Sequence, residues 1–219
     1  MYEAIIFDMD GTLVDSEVVW DAAEKAMFAE RGLVYDAAVR EQVIGLRLDE
    51  FFDKLIEIYD LDEKREDLQA ELIERMLKRI PTEVEAKRGA QALIEWTRQQ
   101  DNLPYCIASS SPMVIIEAIV KAQGWEKLIP KLYTADSVPN GKPAPDVYLY
   151  AAEQLGVAPD KCLALEDSTT GSRSAVAAGM TCFAIPDSHS APEKFKDITP
   201  HTYESLVDVL AVLKDEADS

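Results

Sequence analysis

Cysteine, histidine, positive charge and long apolar runs are all scarce in this chain of 219 residues. Its three cysteines, Cys106, Cys162 and Cys182, show no CxxC and no Cys/His spacing, so neither a disulfide framework nor a zinc site is expected. Each falls in an apolar run and reads as a reduced packing residue. The two histidines, His189 and His201, sit in a Pro- and Ser-containing stretch and read as surface residues. No stretch approaches the roughly 18 to 20 apolar residues of a membrane span. The start "MYEAIIFDMD" lacks the basic segment and small-residue cleavage site of a secretory leader, so a cytoplasmic protein is expected. Lys and Arg number 22 against 41 Asp and Glu, a formal charge of -19 that opposes long-range attraction to nucleic acid or to an anionic membrane. An anionic substrate must then be held locally, by a bound cation or a few well-placed basic side chains.

Apolar residues are plentiful, at 47%, and their pattern is informative. Five short, near-continuous runs read as strands buried on both faces: "AIIFD" from residue 4, "YCIASS" from 105, "KLYTA" from 131, "CLALED" from 162 and "TCFAI" from 181. Amphipathic helical segments separate them, several ending at a glycine suited to a left-handed C-cap: Gly124, Gly156 and Gly179. Strand and helix alternate from about residue 87, which predicts an α/β, doubly wound parallel sheet of Rossmann-like form. Between Ser16 and Glu85 only helical periodicity is present, far more chain than one crossover needs. The expected organisation is a core of residues 1–15 and 86–219 with an inserted α-helical cap domain at 16–85.

Ligands of such sheets lie beyond the carboxyl ends of the strands. Four polar groups are expected there: Asp8 and Asp10; Ser109, Ser110 and Ser111; Lys142 within "NGKPAPD"; and Glu166 with Asp167. Four converging carboxylates repel and need a cation, and all-oxygen ligands suit a hard divalent ion, in the cytosol Mg²⁺. Mg²⁺ and Lys142 would then supply positive charge to a phosphate, with the Ser109 hydroxyl as a donor. One carboxylate beside the metal can attack phosphorus while a second protonates the leaving alcohol, and the i, i+2 spacing of Asp8 and Asp10 suits that division. Ser110 and Ser111 either reach phosphate or cap the following helix; Thr12 either reaches phosphate or completes the turn; Asp146 is expected to order its own loop.

The segments "DMDGT", "ASS", "GKPAPD" and "LEDSTTGSRSAVAAGM" together resemble the four ordered motifs of the haloacid dehalogenase-like superfamily of phosphohydrolases. The likeness is to the subgroup of β-phosphoglucomutase and sugar-phosphate phosphatases, and it spans nearly the whole chain. It implies Asp8 as nucleophile, Asp10 as general acid and then base, and Ser109 and Lys142 as phosphate ligands. It also implies Mg²⁺ held by Asp8, the backbone carbonyl of Asp10, Asp167 and Glu166. Arg47 sits where related phosphatases turn a cap side chain toward substrate, so a substrate contact is expected of it. Trp20 either lines the cap cleft or packs one cap helix on another. The mutases carry a histidine where this chain has Trp20, which favours hydrolysis. The alternatives are a phosphosugar mutase and, from another class, a non-enzymatic phospho-receiver; the latter lacks both a cap and the second acid. The expected partner is a small phosphorylated metabolite, with no nucleic acid and no membrane; oligomeric state is not legible.

Overall fold

The computed structural model describes residues 2–43, 46–186 and 191–217. The chain begins with β1 (Ala4–Phe7), β2 (Val14–Asp15), α1 (Glu17–Glu30), α2 (Ala37–Arg40), α3 (Leu48–Tyr59), α4 (Arg65–Glu83) and β3 (Glu85–Ala86). It continues with α5 (Ala90–Gln99), β4 (Tyr105–Ser109), α6 (Met113–Ala122), β5 (Leu132–Thr134), α7 (Asp146–Leu155), β6 (Cys162–Glu166), α8 (Thr169–Ala177), β7 (Thr181–Ala184) and α9 (Leu206–Ala217).

Five strands form one parallel sheet in the order β5-β4-β1-β6-β7, and each lies within the apolar run that predicts it. From β1 the chain steps outward to β4 and β5, then crosses back to β6 and β7. The carboxyl ends of β1 and β6 therefore flank the switch point, where open sheets of this kind bind ligands. Alternate residues of each strand feed two apolar layers. Ile5, Phe7, Ile107, Leu163, Leu165 and Phe183 join the larger one. The other holds smaller side chains, among them Ala4, Ile6, Ala108 and Ala164, against Tyr148 and Ala151 of α7 and Ala175 of α8. All three cysteines belong to that second layer as free thiols. Burial pushes Cys182 up to about 12 and Cys162 up to about 11, so they are packing groups and poor nucleophiles.

The predicted glycine caps Gly124, Gly156 and Gly179 all take positive φ. The antiparallel ribbon of β2 and β3 was not expected; with two residues per strand it carries no periodic signal. It ties together the two chain segments that lead into and out of α1–α4. Those helices pack through apolar stripes: Leu68, Leu72, Met76 and Ile80 of α4 recur every fourth residue and are buried, as are Ala23, Met27 and Phe28 of α1 and Phe51, Phe52 and Leu55 of α3. The short α2 is capped by Asp36, which accepts hydrogen bonds from the Ala38 and Val39 N–H groups.

Candidate active site

Asp8 leaves the end of β1 and is buried. Its Oδ1 accepts a 2.8 Å hydrogen bond from Lys142 Nζ, and its Oδ2 lies 2.9 Å from the Thr12 hydroxyl. Lys142 comes from the loop before α7. It donates also to Glu166 Oε1 at 2.7 Å, and its ammonium lies 4.9 Å from the centroid of the Tyr148 ring. Tyr148 in turn donates to the same Glu166 oxygen at 2.6 Å. Asp167, next along the chain, faces Thr12 Oγ1 at 3.0 Å. The Thr12 hydroxyl has one proton for two carboxylates, so it donates to Asp8 or Asp167 at any instant.

Two glycines make this crowding feasible. Gly11 has φ +78°, and a Cβ there would lie 2.2 Å from Asp167 Oδ2. At Gly171, in the first turn of α8, a Cβ would lie 1.9 Å from Glu166 Oε1. Ser168 caps that turn, accepting from the Gly171 N–H while lying 3.2 Å from Glu166 Oε2 as donor.

Asp8, Glu166 and Asp167 each offer a carboxylate oxygen within 4.8 Å of the other two. Burial, reinforced by the Glu166 charge, pushes Asp8 up to about 7 against the opposing pull of Lys142. Burial and the Asp8 charge hold Asp167 well above the usual carboxylate range. Burial would depress Lys142, yet Asp8 and Glu166 outweigh it and keep the ammonium charged. One lysine cannot balance three buried carboxylates, and the donor set is all oxygen. These residues therefore fit a hard divalent cation such as Mg²⁺.

Asp10 is held differently. Its Oδ1 accepts from Ser16 Oγ at 2.6 Å and Trp20 Nε1 at 3.1 Å; its Oδ2 accepts from Ser111 Oγ at 2.8 Å and Ser109 Oγ at 3.2 Å. Ser16 precedes α1 without capping it, its hydroxyl being committed to Asp10. Four donors from both ends of the site thus fix a carboxylate that lies two residues from Asp8 and makes no contact with Lys142 among the described interactions. Trp20 accordingly serves both readings, since it is buried with the apolar stripe of α1 and its indole N–H reaches the cleft. The helix-cap reading of Ser110 and Ser111 does not hold: Pro112 occupies the N-cap of α6, Ser111 bonds Asp10, and the buried Ser110 hydroxyl has no partner among the described residues.

Asp8, Asp10, Ser109, Ser110, Lys142 and Asp167 line one cavity of about 590 Å³, a size suited to a small metabolite. Glu166 and Thr12 lie beneath its floor, fully buried. Thr12 thus orients two carboxylates and does not face the open cleft. Arg47 is a correction to the sequence reading, since its guanidinium is spent elsewhere. It pairs with Asp49 at 2.7 Å and donates from Nη1 to the Ala135 and Val138 carbonyls at 3.1 and 2.9 Å, clasping the start of α3 to the segment after β5, away from the cavity wall. Asp146 orders its own loop, accepting from the Asn140 side chain at 2.9 Å. His201 is exposed beside Phe183, and His189 lies outside the described residues.

The upper wall holds residues the sequence reading did not single out: Glu17 and Glu24 of α1, Tyr35, and Arg40 of α2. Glu24 is an acidic residue four positions after Trp20, on the buried face of α1, and that misfit in an apolar stripe is the signal that could have found it. Burial pushes its carboxyl from 4.5 up to about 7, against the opposing Tyr35 hydroxyl and Arg40 guanidinium. A carboxyl with a higher pKa folded than unfolded binds its proton more tightly in the folded state, so it costs stability increasingly as pH rises from 4.5 to about 7. At about 1.4 kcal/mol per pH unit between those values, Glu24→Gln is expected to be more stable than the parent at pH ~8 by on the order of 1–3 kcal/mol. The gap should close by about pH 5. Urea denaturation across that range checks it, and a pH-independent difference would contradict it.

A twisted parallel sheet with an acidic, lysine-bearing cleft at its switch point, roofed by helices, is the design of an enzyme for small anionic substrates. A family model of haloacid dehalogenase-like hydrolases matches residues 5–185, and the chain belongs to that family. Hexitol phosphatase B of Escherichia coli (strain K12) is 34% identical over 201 residues, covering 89% of this chain and 86% of that protein. Fructose-1-phosphate phosphatase YqaB of the same strain is 30% identical over 179 residues, covering 82% and 94%. The crystal structure of CbbY from Rhodobacter sphaeroides in complex with phosphate superposes with a TM-score of 0.83 at 26% identity, covering 95% of this chain and 96% of that one. The chain is a phosphoric monoester hydrolase. No helix among the described residues is long and apolar enough to cross a membrane.

Proposed function

We propose that this chain is a Mg²⁺-dependent phosphatase that hydrolyses a sugar or polyol monophosphate through an aspartyl phosphate on Asp8. The observation that carries the reading is the cluster of Asp8, Glu166 and Asp167 within 4.8 Å of one another around a single buried lysine. Asp8, Glu166, Asp167 and the backbone carbonyl of Asp10 would hold Mg²⁺, whose charge would offset that of the phosphate oxygens.

An Asp8 carboxylate oxygen attacks phosphorus in line with the ester oxygen, and the P–O bond to the leaving group breaks. Asp10, protonated, gives its proton to that departing oxygen, releasing the alcohol. The resulting Asp10 carboxylate then takes a proton from water as the water oxygen attacks the aspartyl phosphate, so inorganic phosphate leaves and Asp8 is restored. Lys142 keeps positive charge beside Asp8 throughout, and the Ser109 and Ser110 hydroxyls face the space the phosphate would enter. The helices of residues 16–85 act as a cap on the core of residues 1–15 and 86–219, shutting bulk water and large substrates out of the cleft.

Hydrolysis is favoured over transfer to a second sugar hydroxyl by Trp20, whose indole N–H can donate to Asp10 but cannot exchange a proton as an imidazole would. Unpaired, buried cysteines accord with a reducing compartment, the cytoplasm. Phosphate release from sugar, polyol, nucleotide and two-carbon monophosphates tests the substrate class. A sugar or polyol phosphate should give the highest kcat/KM, on the order of 10⁴ M⁻¹s⁻¹ or more. Preference for a nucleotide or a two-carbon phosphate would overturn it.

A further inference from the structure

Opposite the carboxylate cluster, the cavity wall contains three buried polar atoms that close no hydrogen bond of normal geometry among the described residues: Glu24 Oε2, Arg40 Nε and the Tyr35 hydroxyl oxygen, the last lying near enough to Glu24 to hold its carboxyl down but not bonded to it. Glu24 and Tyr35 are 7% and 5% exposed, deep enough that unmet hydrogen-bonding capacity is costly. Their positions are fixed. The Tyr35 ring stacks on Phe28 at 5.3 Å and packs beside Phe51, while Arg40 donates from Nη2 to Glu17. Arg40 Nε and Glu24 Oε2 stand 4.0 Å apart, too far for a hydrogen bond of their own. A hydroxyl oxygen about 2.8 Å from each, with roughly a right angle between the two contacts, would fit that gap. It would accept from the guanidinium N–H and donate to the carboxylate, and the phenol beside them can give or take one more bond.

Charge narrows the choice of ligand. Arg40 is already shared among Glu17, Asp21 at 3.4 Å and Glu24 at 4.0 Å, three carboxylates around one guanidinium. A neutral hydroxyl meets both a donor and an acceptor there, whereas a carboxylate or second phosphate meets an acidic surround whose guanidinium is already shared; Lys194, which also lines the cavity, is largely exposed and stands 3.9 Å from Glu41.

Resting on the phosphatase reading above, we propose that Glu24, Tyr35 and Arg40 form a hydroxyl-reading wall that selects monophosphates with an uncharged, hydroxylated far end and rejects those whose far end is anionic. Sorbitol 6-phosphate and 6-phosphogluconate test this well, because they differ only in a terminal CH₂OH against a carboxylate. The parent enzyme should favour the hexitol phosphate in kcat/KM by about thirtyfold or more. Glu24→Gln, which keeps the side chain's shape, should shrink that preference at least about tenfold, and Tyr35→Phe should raise KM for the hexitol phosphate several-fold, with the loss carried by KM more than by kcat. Equal use of the two substrates by the parent, or an unchanged ratio in Glu24→Gln, would overturn this wall's role while leaving the phosphatase reading intact. Failure of the parent to release phosphate even from phenyl phosphate with Mg²⁺ would overturn the phosphatase reading itself.

Discussion

Asp8→Asn should lose turnover by at least about 10⁴-fold on every substrate, including activated ones, because it removes the attacking oxygen and a metal ligand together. The amide is nearly isosteric, so Lys142 and Thr12 keep neighbours of similar shape and the fold should persist. Asp10→Asn should behave otherwise. It leaves the nucleophile, Lys142 and the Glu166–Asp167 pair untouched, and the donors Ser16, Trp20, Ser109 and Ser111 still meet a carboxamide oxygen on one side. Its loss should be about 10² to 10⁴-fold on an alkyl phosphate, the usual contribution of a positioned acid and base. That loss should shrink for the first step with acetyl phosphate, whose leaving group needs little protonation. Steady-state and single-turnover rates on the two substrates separate the roles, and equal losses for both variants on both substrates would show that the two aspartates are not divided in this way.

Chelation is the second large effect. With EDTA, activity should fall by about 10³-fold or more, corresponding to the several kcal/mol a bound cation supplies in such sites. Mg²⁺ should restore it, with Ca²⁺ a poor substitute because its looser, larger coordination displaces the nucleophile. Binding can be read without catalysis. A cation that favours the folded chain raises its melting temperature in proportion to the logarithm of its concentration above Kd. The rise should be lost in Asp167→Asn, which removes one member of the cluster and leaves the Lys142–Glu166 pair in place. Full activity in chelator, or an identical thermal shift in Asp167→Asn, would contradict the assignment.

The parts of this molecule legible in its sequence are those fixed by short-range rules. Runs such as "AIIFD" and "CLALED" can only be strands covered on both faces, and their carboxyl ends must share one edge of a parallel sheet. Asp8, Asp10, Ser109 and Asp167 reach one cavity for that reason, and Lys142 joins them from the loop between β5 and α7. The cap side chains obey no such rule, because their directions depend on how α1, α2 and α3 pack on one another. Arg47 lies at the start of α3, and only the placement of that helix against the Ala135–Val138 segment turns its guanidinium onto two carbonyls instead of the cleft. Arg40 is the last residue of a four-residue helix too short to show periodicity. Tyr35 sits between elements, where no pattern marks it.

The central claim is covalent: phosphate passes through Asp8. Asp10→Asn mixed with acetyl phosphate and Mg²⁺, quenched in acid within its first turnovers and mapped by mass spectrometry, should carry an adduct of about 80 Da on the peptide containing Asp8, since the group is formed but starved of the base that hydrolyses it. The same treatment of Asp8→Asn should leave that peptide unmodified. An adduct on any other residue, or none in Asp10→Asn while it turns over at the parent rate, would contradict the account.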